Sequence, residues 1–297
     1  MGAHEWHPFT ISSSPTDRGA VTVHVKAMPP SQGPGSGLES TFTGRLLLLA
    51  KAAEAKKKSG VVSLQNDASS GGGAFVDAVL RGPDGRASDA AAQGPPLVVS
   101  VDGPYGESLD VEAHEELLLL AGGVGFTPVH SILRAVRARM LTGQKCCRRV
   151  HVMLAVQTRA ALDPFLHTLQ DVAADDFDGR CVLSVFVDNE PTPSSSKGGA
   201  PLFKLNKTRT NDNAAASVGA VGNGNGNGDG DKTAYFEYKG VPFQVGRLNP
   251  VPFIKELAAK EGGGGHVFVC GPPGLAATAD LACLQSGVSF HKEVFAF

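Results

Sequence analysis

The most constraining feature of this sequence is an uninterrupted apolar run that ends in a cluster of glycines, LLLLAGGVGFTP at residues 117–128. The run predicts a buried strand, Thr127 is a candidate N-cap residue, and Pro128 suits the first turn of a following helix. A tight turn between strand and helix would be made by Gly122, Gly123 and Gly125. A phosphate group can bind at such a helix N-terminus because unpaired N–H groups and the helix dipole favour an anion. The pattern indicates either a nucleotide site or an ordinary strand-to-helix turn.

Beyond residue 110 the sequence alternates between apolar runs and helical patterns. Strands are predicted at residues 116–123, 150–156, 181–187, 266–271 and 288–292. Helices are predicted at residues 128–141, 162–173, 252–260 and 275–285. Such alternation predicts a parallel α/β sheet, and ligands of these sheets bind at the carboxyl edge of the strands. Residues 111–297 are therefore predicted to form an α/β domain of the nucleotide-binding type.

The first half of the chain has a different sequence pattern. Residues 7–110 contain short runs interpreted as extended: FTIS, AVTVHVKAM, RLLLLAKA, GVVSL and PPLVVSVDGPYG. These runs, separated by many turn residues, predict a small antiparallel β-barrel or sandwich. Residues 29–40 and 69–95 are interpreted as surface insertions. Residues 188–232 are interpreted as a disordered insertion, because their Gly/Asn alternation cannot bury enough apolar surface to offset the entropy of ordering.

Composition and the absence of several motifs exclude some functions. Charged residues make up 19% of the chain and the formal net charge is -2, so nucleic acid is not an expected partner. The sequence has no HExxH, CxxC, GxSxG or Walker pattern, and its histidines form no ligand-spaced cluster. A metal site and a serine hydrolase are therefore not expected.

Three further features are candidates for ligand contacts. In HVFVCGPPG (266–274), Cys270 ends a predicted strand and is either a small buried hydrophobe or a contact to a ring substrate. Arg159 and Arg247 follow predicted strands, where a guanidinium either holds a 2′-phosphate or is simply solvated. The segment DGPYG (102–106) has the composition of a tight turn at the junction of the two halves.

Five segments in order, HPFTISSSP, DGPYG, LLLLAGGVGFTP, VFVCGPPG and FHKEVFAF, resemble the dehydrogenase region of the ferric reductase and NADPH oxidase family. This family lies within the ferredoxin:NADP reductase superfamily, and the first segment is most similar to plant and algal ferric-chelate reductases. The resemblance implies an antiparallel FAD-binding β-barrel in residues 1–110 and an NAD(P)-binding α/β domain in residues 111–297. It also implies the cofactors FAD and NADPH. The implied reaction is hydride transfer from NADPH to FAD, followed by single-electron transfer to heme and then to ferric chelates or oxygen.

The resemblance also implies roles for particular residues. The flavin would be contacted by His7, Pro8, Phe9, Thr10 and Ser12. The FAD pyrophosphate would lie near Lys26, Thr43, Gly44 and Arg45. The NADPH pyrophosphate would be held by Gly122, Gly123, Gly125 and Thr127, and the nicotinamide would lie by Cys270, Gly271 and Pro272. Arg159 and Arg247 stay candidates for the 2′-phosphate because of their positions after strands, and not because of the resemblance. An aromatic residue, Phe295 or Phe297, would cover the flavin, although both fit a packed terminal strand too. The candidate catalytic residues are Thr10, Cys270 and Phe295.

The sequence departs from the family at its start. The transmembrane heme domain and the leading strands of the barrel do not precede HPFT, so the chain is expected to be a fragment of a membrane protein, with this region on the cytosolic face. A barrel without its leading strands exposes an edge, which predicts weak FAD binding. The alternatives are a soluble NAD(P)H–flavin or ferredoxin-type reductase, and a non-catalytic nucleotide-binding remnant. The electron acceptor would be a small molecule in either enzymatic case.

Overall fold

The fold comes from a computed structural model that describes residues 7–17, 20–27, 37–55, 62–65, 75–81, 102–105, 109–174, 177–189, 235–260 and 265–293. The strands in this part of the chain are β1 (Ala20–Lys26), β2 (Val62–Gln65), β3 (Phe75–Arg81), β4 (Glu116–Gly122), β5 (Arg149–Val156), β6 (Cys181–Val187), β7 (Tyr235–Tyr238), β8 (Val241–Val245), β9 (Gly265–Cys270) and β10 (Ser289–Glu293). The α-helices are α1 (Phe42–Ala55), α2 (Phe126–Leu141), α3 (Leu166–Ala173), α4 (Val251–Ala259) and α5 (Pro273–Ser286).

The predicted α/β sheet is confirmed. Strands in the second half pair in the order β10-β9-β4-β5-β6-β8-β7, and every neighbouring pair is parallel except the β7–β8 hairpin at one edge. All seven residues of β4 are buried because helices cover both faces of this central strand. Leu117 and Leu119 pack with α2 and α3, whereas Leu118 and Leu120 pack with α4 and α5.

The boundaries of the α/β elements lie close to the predicted ones. Helix α2 begins at Phe126, two residues before the predicted start. The helix predicted at residues 162–173 is a 3-10 helix (Arg159–Phe165) that continues into α3. The predicted disordered insertion lies outside the described residues except for residues 188 and 189. None of the described helices is long and apolar enough to cross a membrane.

The first half forms a smaller antiparallel sheet in the order β1-β3-β2. Strand β3 is its central strand, so the interpretation of residues 69–95 as a surface insertion is wrong where β3 lies. The glycines before β3 and the turn residues after it gave this stretch the composition of a loop. In the described part of the chain this sheet is open, and a closed barrel is not shown.

The prediction of an extended run at RLLLLAKA is also wrong, because these residues belong to helix α1. Thr41 Oγ1 accepts a hydrogen bond of 3.0 Å from the N–H of Gly44 and thereby caps the first turn. Leu47 and Ala50 are buried against β1, and the intervening Leu48 and Leu49 are exposed. A spacing of three residues between buried positions is helical, but a run of four leucines hides that spacing from a sequence pattern.

Three histidines with strongly lowered pKa values make the folded chain sensitive to acid. Burial lowers the pKa of His24, His151 and His266 from 6.5 to about 4 in each case. The Nε2 atoms of His151 and His266 are buried without a hydrogen-bond partner. In the unfolded chain the same side chains take up a proton at a higher pH, so acidification stabilises the unfolded state relative to the folded one.

We therefore expect the free energy of unfolding to fall as the pH is lowered from 6.5 towards about 4, by about 2 kcal/mol or more. Urea unfolding at several pH values across this window measures it. His151→Leu should flatten the dependence of the free energy of unfolding on pH, since it removes one site of protonation. His167→Gln, at a histidine whose side chain is 87% exposed, is the control, and His151→Leu should flatten the pH dependence of unfolding more than it does. An unchanged slope in His151→Leu would contradict the prediction.

Candidate functional site

Two glycine-containing turns meet at the carboxyl edge of the parallel sheet. One follows β4 and leads through a 3-10 turn (Gly123–Gly125) into α2, and the other follows β9 and leads into α5. Strands β4 and β9 are paired neighbours, so their carboxyl ends lie side by side. This is the edge at which open α/β sheets bind ligands.

The two turns touch through their backbones, and glycine is what allows the contact. A Cβ on Gly125 would lie 2.1 Å from the carbonyl oxygen of Cys270, and one on Gly122 would lie 2.3 Å from Cδ of Pro272. A Cβ on Gly271 would lie 2.9 Å from the backbone nitrogen of Gly122. Any larger residue at these positions would push the two turns apart. The structure therefore brings the predicted NADPH turn and the predicted nicotinamide turn into a single unit.

The predicted role of Thr127 as an N-cap is wrong. Gly125 precedes the helix, and Thr127 lies in its first turn, where its hydroxyl donates a hydrogen bond of 2.8 Å to the carbonyl of Val124. No described side chain caps α2. Gly123 has a φ of 56°, a left-handed conformation that favours glycine. The turn thus presents backbone, and not side chains, at the N-terminus of α2.

A third group of residues converges next to Cys270. Strand β10 pairs with β9 in a register that sets Glu293 beside Cys270. The Thr10 hydroxyl of the N-terminal segment donates a hydrogen bond of 3.4 Å to Oε1 of Glu293. Two of the three predicted catalytic residues, Thr10 and Cys270, are therefore connected through Glu293. The third, Phe295, lies outside the described residues, as does Phe297.

Burial controls the protonation of this group. Burial, with a smaller contribution from Glu293, raises the pKa of the Cys270 thiol to about 12, so Cys270 is a neutral thiol. Burial also raises the pKa of Glu293, while the hydrogen bond from Thr10 and the charge of His291 partly oppose the shift. Glu293 is thus a carboxyl group that holds its proton more tightly than an exposed glutamate does.

Two of the other predicted flavin residues, His7 and Phe9, contact the start of α1. The His7 ring stacks on Phe42, with the ring centroids 4.0 Å apart, and the Phe9 ring lies 6.1 Å from Phe42. Pro8 and Phe9 are exposed. In contrast, Ser12 is fully buried and its hydroxyl donates to the carbonyl of Thr22 at 2.9 Å.

The predicted FAD pyrophosphate residues lie on two elements. Lys26 ends β1, and Thr43, Gly44 and Arg45 are in the first turn of α1. A Cβ on Gly44 would lie 1.9 Å from the carbonyl oxygen of Leu38, so glycine is needed there for local packing. Local packing therefore explains the glycine at position 44, whether or not a ligand binds there.

The two predicted 2′-phosphate arginines have different neighbours. The guanidinium carbon of Arg159 lies 5.9 Å from the centre of the Tyr238 ring, and Arg247 Nε lies 3.6 Å from Asp188 Oδ2. Arg247 is 87% exposed at its side chain. The two arginines thus contact different groups, Tyr238 and Asp188.

Sequence reasoning missed two residues that the structure makes prominent, Glu293 and His130. Glu293 lies in the quoted FHKEVFAF segment, and aligning the ends of the strands HVFVC and SFHKE would have set it beside Cys270. His130 is buried on the second turn of α2, where its Nδ1 lies 2.9 Å from the carbonyl oxygen of Ser12. No sequence pattern indicates that contact, because the two residues are 118 positions apart.

Comparison with known proteins identifies relatives that align with part of this chain. The heavy chain of the superoxide-generating NADPH oxidase of Dictyostelium discoideum is 28% identical over 141 residues, which is 47% of this chain and 20% of that protein. The mitochondrial ferric reduction oxidase 8 of Arabidopsis thaliana is 34% identical over 100 residues, 33% of this chain and 14% of that protein. The chain thus spans a fifth or less of the length of these relatives.

Among solved structures, the flavohem-like FAD/NAD binding domain of nitric oxide dioxygenase from Vibrio cholerae O1 biovar El Tor aligns with 98% of this chain, and the alignment covers 99% of that chain. The TM-score is 0.38 at 15% identity. The profile of the ferric reductase NAD binding domain matches residues 114–284, more than half of the chain. The resemblance inferred from the motifs is thereby confirmed, and the chain belongs to the ferric reductase NAD binding domain family.

Proposed function

We propose that this chain is a flavoprotein oxidoreductase module that passes a hydride from NADPH to FAD and then single electrons to a heme, ferric or oxygen acceptor. The observation that carries the proposal is the convergence of Thr10, Glu293 and Cys270 beside the glycine turn of β4. The flavin-contacting segment of the first half and the nucleotide-binding turn of the second half would meet there. Membership of the ferric reductase NAD binding domain family supports the NADPH half of the proposal.

The β4 turn fits a dinucleotide. Close packing of Gly122 and Gly125 leaves backbone alone at the start of α2, where a pyrophosphate could accept hydrogen bonds from N–H groups. A nucleotide lying across this turn would extend its nicotinamide towards Cys270, which is in contact with the turn. Arg159 and Arg247 remain the proposed contacts of the 2′-phosphate.

The N-terminal half fits a flavin less completely. The exposed ring of Phe9 and the hydroxyl of Thr10 would face an isoalloxazine, and Lys26 and the first turn of α1 would lie near its pyrophosphate. We assign residues 1–110 to a partial FAD-binding barrel, of which β1, β2 and β3 are the described strands. Phe295 or Phe297 would cover the flavin until the nicotinamide displaces it.

FAD, when bound, supplies a hydride acceptor that can release electrons singly. The residues of the chain orient the two rings and control charge between them. Thr10 and Glu293 hold each other in place through their hydrogen bond, and this bond fixes the N-terminal segment at the edge of β10. The neutral Cys270 thiol offers a small apolar contact that excludes water. Orientation of this kind is a large part of catalysis when two bound groups must meet.

The relatives are named as NADPH oxidase and ferric reduction oxidase, and they extend far beyond the matched region. We propose that this module belongs to a longer membrane protein, on whose cytosolic face it delivers electrons to a transmembrane heme domain. The small-molecule acceptor, a ferric chelate or oxygen, would be reduced from that domain.

The proposal is tested by the visible spectrum of the purified chain with FAD before and after anaerobic addition of NADPH. Oxidised flavin absorbs at about 450 nm, and we expect NADPH to bleach this band. Bleaching without a heme protein present would establish the module. A chain that binds NADP+ but never retains or reduces FAD would instead be a nucleotide-binding remnant, and the proposal would fail.

Gly125→Ala is expected to disrupt the site through packing and not through backbone conformation. Gly125 has a φ of -60°, which alanine adopts readily, yet the added Cβ would meet the Cys270 carbonyl at 2.1 Å. Overpacking of this kind costs about 1–3 kcal/mol, so we expect a lower melting temperature and at least about ten-fold weaker NADP+ binding. Gly274→Ala is the matched control for stability, since no atom lies within 4 Å of its added Cβ. Equal melting temperatures for the two variants would contradict this account.

Glu293→Gln is expected to slow flavin reduction and remove part of its pH dependence. Hydride loss leaves a positive charge on the nicotinamide, which an ionised Glu293 would stabilise. Since burial raises the pKa of Glu293 above 4.5, the rate in the unsubstituted chain should rise with pH as this carboxyl ionises. The variant should be about ten-fold slower on the alkaline side and flat through that window. Stopped-flow reduction measures both, with the exposed Glu237→Gln as control. A rate profile unchanged in Glu293→Gln would remove Glu293 from the mechanism.

A further inference from the structure

The N-terminal segment is fastened to one face of helix α2. His130 Nδ1 lies 2.9 Å from the carbonyl oxygen of Ser12, and the Ser131 hydroxyl donates to the carbonyl oxygen of Ser13 at 2.7 Å. Both contacts join segments 118 residues apart in the chain. The N-terminal segment is thereby held by side chains of α2 at two consecutive backbone carbonyls.

Ser12 and Ser13 are buried and hydrogen-bonded to both β1 and α2. Ser12 and Ser13 are at most 5% exposed. The N–H of Ser12 donates to the Thr22 carbonyl at 2.8 Å, and the Ser13 hydroxyl accepts from the Thr22 N–H at 3.0 Å. The segment thus lies between β1 and α2 with hydrogen bonds to each. A buried carbonyl that lost its partner would carry a desolvation cost, so the arrangement has little freedom to shift.

The hydrogen bond to Ser12 and the burial of the ring define the tautomer and the charge of His130. The Ser12 carbonyl can only accept a hydrogen bond, so Nδ1 must carry the proton. The ring is 8% exposed and lies among aromatic rings: the centroids of Phe165 and His24 are 5.8 Å and 5.5 Å away. Burial lowers the pKa of His130, which favours the neutral ring. A neutral imidazole protonated on Nδ1 satisfies both the carbonyl and the apolar surroundings.

We propose that His130 and Ser131 are positioning residues that set the spacing between the flavin-contacting segment and the nucleotide-binding turn. This inference rests on the proposed function. Thr10 lies two residues before Ser12, and Thr127 lies one helical turn before Ser131, so the connection spans only a few residues on each side. Neither His130 nor Ser131 needs to touch a cofactor to exert this effect.

The rate of hydride transfer depends on the distance between the two reacting groups, so a connection that sets this distance affects the rate. Displacement of one reacting group by about 1 Å can cost a factor of about a hundred in rate, whereas binding of each cofactor to its own segment is affected little. Loosening the junction should therefore lower the limiting rate of flavin reduction and leave NADP+ affinity unchanged. A merely structural role would instead lower stability and both affinities together.

The test uses two substitutions of His130 in the full chain. His130→Leu keeps an apolar side chain in the aromatic pocket but removes the donor, and His130→Asn keeps a donor near the position of Nδ1. We expect His130→Leu to reduce the limiting rate of flavin reduction at saturating NADPH about ten-fold or more, with the NADP+ dissociation constant within about two-fold. His130→Asn should recover most of the rate. His167→Leu, the same substitution at an exposed histidine, is the control.

A second readout does not depend on turnover. Hydrogen–deuterium exchange of peptides covering residues 7–17 should be faster in His130→Leu and in Ser131→Ala, and unchanged in His167→Leu. Unchanged exchange, or an unchanged rate in His130→Leu, would overturn the positioning role. If His130→Leu fails to fold, Ser131→Ala decides by the same two measurements. If the unsubstituted chain never reduces FAD, the proposed function and this inference fail together, whereas reduction that is insensitive to His130 and Ser131 removes this inference alone.

Discussion

The contact between Gly125 and the carbonyl oxygen of Cys270 is the constraint on which the rest of this site depends. With 2.1 Å between that oxygen and any added Cβ, the start of α2 and the end of β9 can approach only through bare backbone. The contact sets how closely the turns after β4 and β9 lie. Strand β10 pairs with β9 and places Glu293 beside Cys270. The turn after β4 and the ends of β9 and β10 therefore lie together at one edge of the sheet.

The N-terminal segment depends on this unit for its position. It contacts the α/β half at Thr10, through Glu293, and at Ser12 and Ser13, through α2. These are contacts of hydrogen-bonded, largely buried groups, in contrast to the exposed ion pair of Arg134 with Asp17 farther along the segment. Exposed pairs contribute little to stability, whereas unsatisfied buried carbonyls are costly. The register of the segment is therefore determined by its buried residues in the middle, Ser12 and Ser13.

Sequence patterns were informative where one physical effect dominated. The buried run of β4 and the turn at Gly122 to Gly125 were predictable, because a parallel strand between two helical layers is apolar throughout. Helix α1 was not, since four successive leucines satisfy helix and strand periodicities alike. Glu293 and His130 were missed for another reason. Their importance comes from pairing between strands and from a contact across 118 residues, and neither leaves a local pattern.

The protonation of Cys270 restricts the chemistry that its thiol can perform. A thiol must ionise to act as a nucleophile or to enter disulfide exchange, and a pKa of about 12 keeps Cys270 neutral. Burial is the larger cause and the neighbouring Glu293 adds to it, so ionisation of Glu293 would suppress the thiolate further. Cys270 is therefore a compact neutral side chain, with no exposed surface, at the end of β9. Charge in this part of the site is left to Glu293, although burial raises the pKa of that carboxyl group.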